Sequence, residues 1–201
     1  MVRRGCHDGR VQVAVVRHAD AGRRSEWTGD DLERPLSPLG RAQAEALVGP
    51  LRAAGAARLL SSPARRCRET LAPLAAALGR PVEVHEALGI PGPSGVPGIE
   101  RLAAAFAAGD GHDGARAPAE EPPLVVACTH GEVIERLLGP LARPQGLAVP
   151  GPKAGIWWCR LDPASPLGLQ LEGCTLPEEL GEGLGHGGAE AEPDRGQLSG
   201  R

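Results

Sequence analysis

The chain has no tyrosine and one phenylalanine, and its three tryptophans leave aromatic packing a minor role. The 41% apolar fraction therefore comes mostly from Ala, Leu and Val, and fits a soluble globular protein. It has no CxxC pair, and its cysteines, Cys6, Cys67, Cys128, Cys159 and Cys174, are odd in number. That argues against a disulfide framework or a structural zinc site and for a reducing compartment, with the cytoplasm as default. No apolar run approaches the ~20 residues of a membrane span, and the start MVRRGCHDGR has no apolar core of a signal peptide. No membrane partner is expected. The net charge of −3 gives no overall basic field, so no nucleic acid is expected either. HxH and HExxH are absent, and Asp30-Asp31 stands alone in a loop rather than in a carboxylate cluster. Neither a metal nor a cofactor is expected.

What is there begins with VAVVRHADA. Val11 to Val16 is a β-branched run that stops at Arg17 and His18, which predicts a buried strand delivering both residues at its carboxyl end. Gly22 to Pro35 is charged and aperiodic and reads as a loop. Ser37-Pro38 predicts a helix start, with Ser37 as N-cap, a buried stripe of Leu39, Ala42, Ala46, Leu47 and Leu51, and an end at Gly55. Arg58 to Ser61 is a second strand. Ser62-Pro63 repeats the capping signal for a helix to Leu78 with a stripe of Cys67, Leu71, Leu74 and Leu78. Val82 to His85 is a third strand, Gly89 to Gly98 a loop, Ile99 to Ala107 a short helix, and 108–123 a flexible connection.

Leu124 to Cys128 is a second strong buried strand, with Cys128 in the core, and it too ends in polar residues, Thr129-His130-Gly131. A helix, Glu132 to Leu138, follows. Gly155 to Leu161 and Leu167 to Leu171 read as an antiparallel pair joined at Asp162-Pro163, with at most one of Trp157 and Trp158 facing the core. Residues 1–10 are expected to be a flexible N-terminus, 11–175 a single folded domain, and 176–201 a disordered acidic, Gly-rich tail. Alternating strands and helices predict an α/β fold, a three-layer α/β/α sandwich on a mostly parallel sheet.

Three strand ends thus carry Arg17-His18, the segment SSPARRCRET, and Thr129-His130-Gly131. Converging on one crevice, they would gather two arginines and two histidines. Two helix N-termini, at Pro63 and Glu132, would add backbone N–H donors. Such a pocket suits a phosphoryl group, with a histidine placed to attack phosphorus.

VVRHADA, SSPARRCRET and ACTHG, in this order, resemble the histidine phosphatase superfamily, with its phosphoglycerate-mutase-like fold, over roughly Val11 to Glu172. The resemblance implies a phosphohistidine intermediate on His18, with the phosphate held by Arg17, Arg66, His130 and Gly131. The family's SxxxR spacing from Ser62 selects Arg66, with Arg65 as the neighbour in the adjacent register. Counted from Arg17, the third and fifth residues are Ala19 and Ala21 where mutases read Gly and Ser or Thr. The family's usual acid segment is Leu88-Gly89-Ile90 here, without a carboxyl. Asp20, Glu86 and Glu132 remain as weak candidates for the proton donor. These departures, with RPLSPLGRAQA, look like the SixA-type phosphohistidine phosphatase branch. WTGDDLERPLSPLGRAQAEAL, CTHGEVI and KAGIWWCRL also look like the C-terminal half of MutT-type Nudix fusion hydrolases, although no Nudix box is present.

A general acid is worth about 10² to 10⁴ in rate, and an imidazole leaving from phosphorus needs it less than an alkoxide does. The expected activity is therefore a metal-independent phosphatase for phosphohistidine protein, or for another phosphorylated substrate with a good leaving group. The alternatives are a nucleotide or small-phosphoester phosphatase, a phosphoglycerate-mutase-like enzyme, and a catalytically silent phosphoprotein-binding module.

Overall fold

The computed structural model describes residues 12–90, 124–146, 149, 151–162, 164–165 and 168–180. Residues 1–10, the expected helix Ile99–Ala107, the connection 108–123 and the tail from residue 181 lie outside the described residues.

Among the described residues, six strands form one sheet: β1 (Gln12–Arg17), β2 (Ala56–Ser61), β3 (Val82–Val84), β4 (Leu124–Thr129), β5 (Ile156–Leu161) and β6 (Leu169–Thr175), in the order β3-β2-β4-β1-β5-β6. β3, β2, β4 and β1 pair in parallel, while β5 and β6 close the far edge antiparallel. Alternation along the central strands sends side chains to opposite faces. Ala14, Val16, Val126 and Cys128 face the layer of α1 (Pro38–Ala46), α2 (Val48–Ala53) and α3 (Arg65–Leu78). Val13, Val15, Val125 and Ala127 face α4 (Gly131–Ala142) and its buried Ile134, Leu137 and Leu138. The result is the expected three-layer α/β/α sandwich. Each fully buried Leu or Val in its two cores contributes about 1.5–3 kcal/mol.

Several local expectations are corrected. The helix starting at Pro38 does not run unbroken to Gly55. It breaks at Leu47, because Pro50 has no N–H to donate to the Ala46 carbonyl. Its buried stripe is also out of phase with the expected one: Gly40, Gln43, Ala44, Leu47 and Leu51 are buried, whereas Ala42 is exposed and Leu39 and Ala46 are half-buried. α3 starts at Arg65 rather than at Pro63, and Ser62 is not its N-cap. α4 starts at Gly131 and continues past Pro140 to Ala142, because Leu138 and Ala142 extend its buried face. Trp157 and Trp158 both pack on core, one on each face, since both faces of the sheet are covered. Leu176 to Leu180, expected as the start of a disordered tail, contain a 3₁₀ turn over Pro177–Glu179, and Leu180 packs against the core. Among the described residues, no helix is long and apolar enough to cross a membrane.

Candidate active site

The sheet register brings the three motifs together. Arg17 pairs with Thr129 and Ser61 with Cys128 across neighbouring parallel strands. The backbone N–H groups of His18 and Ser62 then continue the ladder, donating to Thr129 O (2.9 Å) and Cys128 O (3.0 Å). Arg17, His18, Ser62 and His130 therefore leave the sheet at one edge. α3 and α4 begin there too, and bring Arg66 and Gly131.

His18 is buried, with 7% of its surface exposed. Its Nδ1 lies 2.8 Å from Ala19 O. A carbonyl only accepts, so Nδ1 carries the proton and the lone pair is on Nε2. Burial, aided by the nearby His130, Arg66 and Arg17 and opposed by the Ala19 carbonyl, lowers the pKa of His18 to about 3. At neutral pH the ring is uncharged and its lone pair lies on Nε2. The His18 and His130 rings stand edge to face with centroids 5.4 Å apart.

His130 is held at both nitrogens. Nε2 lies 2.8 Å from Ser62 Oγ, and Arg66 Nη2 lies 3.2 Å from Nδ1. A guanidinium can only donate, so Nδ1 is the acceptor and the Nε2 proton points to Ser62. Ser62 Oγ also accepts from Ala64 N at 3.2 Å. The hydroxyl expected to cap a helix instead fixes a ring. Cys67 Sγ lies 3.7 Å from the same Nε2, buried beneath it.

The two arginines are partly desolvated. Arg17 Nη1 donates to Gly151 O. Burial lowers the pKa of Arg17, with Glu132 acting in the opposite direction, but an arginine remains a cation. Arg66 is 1% exposed. Arg65, the neighbouring register, points away and pairs with Glu69 at 2.7 Å. Among the described residues, Nε of both Arg17 and Arg66 is buried without a hydrogen-bond partner, a costly arrangement that an anion would relieve. Gly131 allows one close approach: a Cβ there would sit 3.3 Å from Arg17 Cζ. The guanidinium can thus lie against the backbone that opens α4, where the helix dipole is positive. Among the described residues, no group of three or more His, Cys, Asp or Glu side chains is gathered that could hold a metal ion.

Asp20, the candidate proton donor next to His18 in the first motif, is engaged by three donors. Lys153 Nζ lies 2.6 Å from its Oδ1, and Ser37 Oγ and Gly22 N donate to Oδ2 at 2.5 and 3.0 Å. Burial favours the neutral acid, but these three donors outweigh it and hold Asp20 at about 2. Glu86 is exposed in a 3₁₀ turn, with no side-chain contact to His18, Arg17, Arg66 or His130 among those described. Glu132 is exposed on the first turn of α4 and acts on Arg17 electrostatically.

Sequence reasoning missed the groups that hold the turn after His18. Thr70 Oγ1 accepts from Ala19 N (3.0 Å) and donates to Arg66 O (2.7 Å), joining the first two motifs. Gln43 Oε1 accepts from Asp20 N at 2.8 Å, and Arg34 Nη1 donates to the carbonyls of Ala21 and Gly22. Ser37 N donates to Asp20 O at 2.9 Å. A Cβ on Gly40 would lie 1.9 Å from that same oxygen. Gly40→Ala is therefore expected to destabilise the protein by about 3 kcal/mol and to lower activity by displacing the turn. Urea unfolding checks the first effect and turnover the second.

The depressed His18 pKa has a testable sign. The uncharged form of His18 should persist from about pH 7 to about pH 4, where an ordinary histidine would lose its free base below about 6.5. Stability should move the other way. The unfolded chain binds this proton below about 6.5 and the folded chain only near 3, so acid favours unfolding. The loss approaches about 4–5 kcal/mol between those limits. An NMR titration of the His18 ring and urea midpoints against pH check both.

The sequence profile of the histidine phosphatase superfamily (branch 1) matches residues 13–89. A curated 8-oxo-(d)GTP phosphatase of Mycolicibacterium smegmatis is 57% identical over 63 residues, 31% of this chain and 20% of that relative, so the match spans about a fifth of the relative's length. Among solved structures, the protein histidine phosphatase SixA complexed with tungstate aligns with TM-score 0.62 at 23% identity, over 85% of this chain and 100% of that one. A putative phosphohistidine phosphatase SixA from Agrobacterium tumefaciens aligns with TM-score 0.59 at 21% identity, over 83% and 99%. A mycobacterial glucosyl-3-phosphoglycerate phosphatase aligns with TM-score 0.54 at 20% identity, over 81% and 97%. At these identities the structural likeness speaks for the fold alone.

Proposed function

We propose that this chain, whose residues 13–89 match the histidine phosphatase superfamily (branch 1), is a metal-independent phosphatase using His18 as its nucleophile. The observation that carries this reading is the His18 ring itself: uncharged, with Nδ1 bonded to its own strand end and Nε2 left free beside Arg17, Arg66 and His130. His18 Nε2 attacks phosphorus, forming a P–N bond as the bond to the leaving group breaks. Arg17, Arg66 and the N–H of Gly131 hold the phosphoryl oxygens and offset their charge, while His130, its Nε2 proton on Ser62 and its Nδ1 accepting from Arg66, keeps the Arg66 fork in place. Water then attacks the phosphohistidine, releasing inorganic phosphate and restoring the lone pair on Nε2.

Leaving-group chemistry narrows the substrate. The carboxyl nearest the nucleophile in sequence, Asp20, is locked as an anion by Lys153 and Ser37. A substrate whose leaving group needs no strong acid suits this site, and phosphohistidine on a protein is the first such class. A phosphoanhydride is the second, favoured by the 57% identity to part of a nucleotide-directed phosphatase. Phosphate release in EDTA from phosphohistidine protein, nucleoside diphosphates and p-nitrophenyl phosphate separates them. Turnover of a simple alkyl phosphate as fast as phosphohistidine would overturn the leaving-group argument.

A further inference from the structure

Arg66 offers its fork to a group that is already present. Nη1 donates to the backbone carbonyl of Asp31 at 2.6 Å, and Nη2 lies 3.1 Å from Asp31 Oδ2 as well as 3.2 Å from His130 Nδ1. Asp31 has its own anchorage: Oδ1 accepts from Arg34 Nε at 2.9 Å and lies 2.9 Å from Arg24 Nε. Its side chain is 26% exposed, against 2% for Arg66, so water reaches the acid far more readily than the cation it pairs with. Burial would raise its pKa, but Arg34, Arg66 and Arg24 outweigh this and keep it a carboxylate.

A carboxylate and a phosphoryl group compete for a guanidinium fork, because both present paired anionic oxygens. Two anions cannot share Arg66 without strong repulsion. We propose that Asp31 is a resident anion on Arg66 that an incoming phosphoryl group displaces, which makes the segment Asp30 to Arg34 a specificity-determining part of the site that responds to its occupation. This rests on the phosphatase reading. While the site is free, Asp31 neutralises a buried cation that would otherwise stand beside Arg17. When phosphate arrives, the carboxylate yields Nη2 and stays bound to Arg34 and Arg24.

Asp31→Asn isolates the charge. The backbone carbonyl of residue 31 still accepts from Nη1, His130 still accepts from Nη2, and an amide oxygen can still accept from Arg34. A residue that merely positioned Arg66 would weaken anion binding when altered, whereas a displaced competitor strengthens it. The probe is inorganic phosphate as a competitive inhibitor, with its Ki measured for wild type and D31N and folding checked by urea midpoint. D31N is expected to lower Ki by about tenfold. A second readout is local: Trp27 Nε1 donates to Asp30 O at 2.9 Å, one residue from the carboxylate. Phosphate should change the fluorescence of the wild type and not that of Trp27→Phe, which keeps Trp157 and Trp158. A wild type that binds no phosphate overturns the phosphatase reading together with this one. Normal binding in wild type, with a Ki in D31N that is equal or higher or with no Trp27-dependent signal, overturns the role of Asp31 alone.

Discussion

His18→Ala is expected to abolish the phosphoenzyme and to lower turnover by at least about 10⁴-fold. No neighbour can take over. The other histidine within reach, His130, has its Nε2 on Ser62 and its Nδ1 on Arg66, so neither nitrogen offers a free lone pair to phosphorus. The variant should still fold. The loss of one buried ring is partly offset at low pH, because the unfolded state no longer gains by binding a proton that the folded state excludes. Its stability should therefore be flatter than that of wild type between about pH 6.5 and about pH 4. Rapid-quench trapping of acid-labile, base-stable phosphate checks the chemistry, and urea midpoints at the two pH values check the fold. A folded variant retaining more than about a tenth of wild-type turnover would show that the nucleophile lies elsewhere.

The outline of this site was legible because its parts sit where the sequence changes character. Val13 to Val16 and Leu124 to Cys128 are apolar runs cut off by polar residues, and burial on both faces of a sheet makes such runs conspicuous. The supports were not legible, because they act on backbone groups far away in the chain. Thr70 reaches Ala19 N, and Gln43 reaches Asp20 N. Periodicity then misled by one position: Leu39 and Ala42 looked like the inward face of α1, but that helix turns Gly40 and Gln43 toward the turn after His18. A signal was available. Arg34, Ser37, Gly40 and Gln43 recur every three residues, and polar or small residues on an inward helical face point to a backbone they must meet. Ser62 was misread for a related reason. Ser-Pro is a common helix start, and only the neighbouring strand shows that this hydroxyl belongs to His130.

Arg66→Ala is expected to lower kcat by about 10² to 10³-fold, the loss typical of one preorganised donor to a developing anion, while Arg65→Ala should stay within about threefold of wild type. The two residues are adjacent in sequence and opposite in setting. Arg65 is exposed and shares Glu69, whose other oxygen accepts from Leu36 N at 2.8 Å, so its removal leaves that bond in place. Arg66 is buried against His130 and Asp31, and its removal unpairs His130 Nδ1 as well as the phosphoryl oxygen it is proposed to hold. Arg66→Lys separates charge from shape. An ammonium restores the cation but not the fork that serves His130 and an oxyanion together, so it should recover binding of inorganic phosphate more than kcat. The check is kcat and phosphate Ki for all three variants. Equal losses for the Arg65 and Arg66 alanine variants would mean that the charge of this helix start matters and the Arg66 fork does not, and the phosphate would then have to be held by Arg17 and the opening turn of α4.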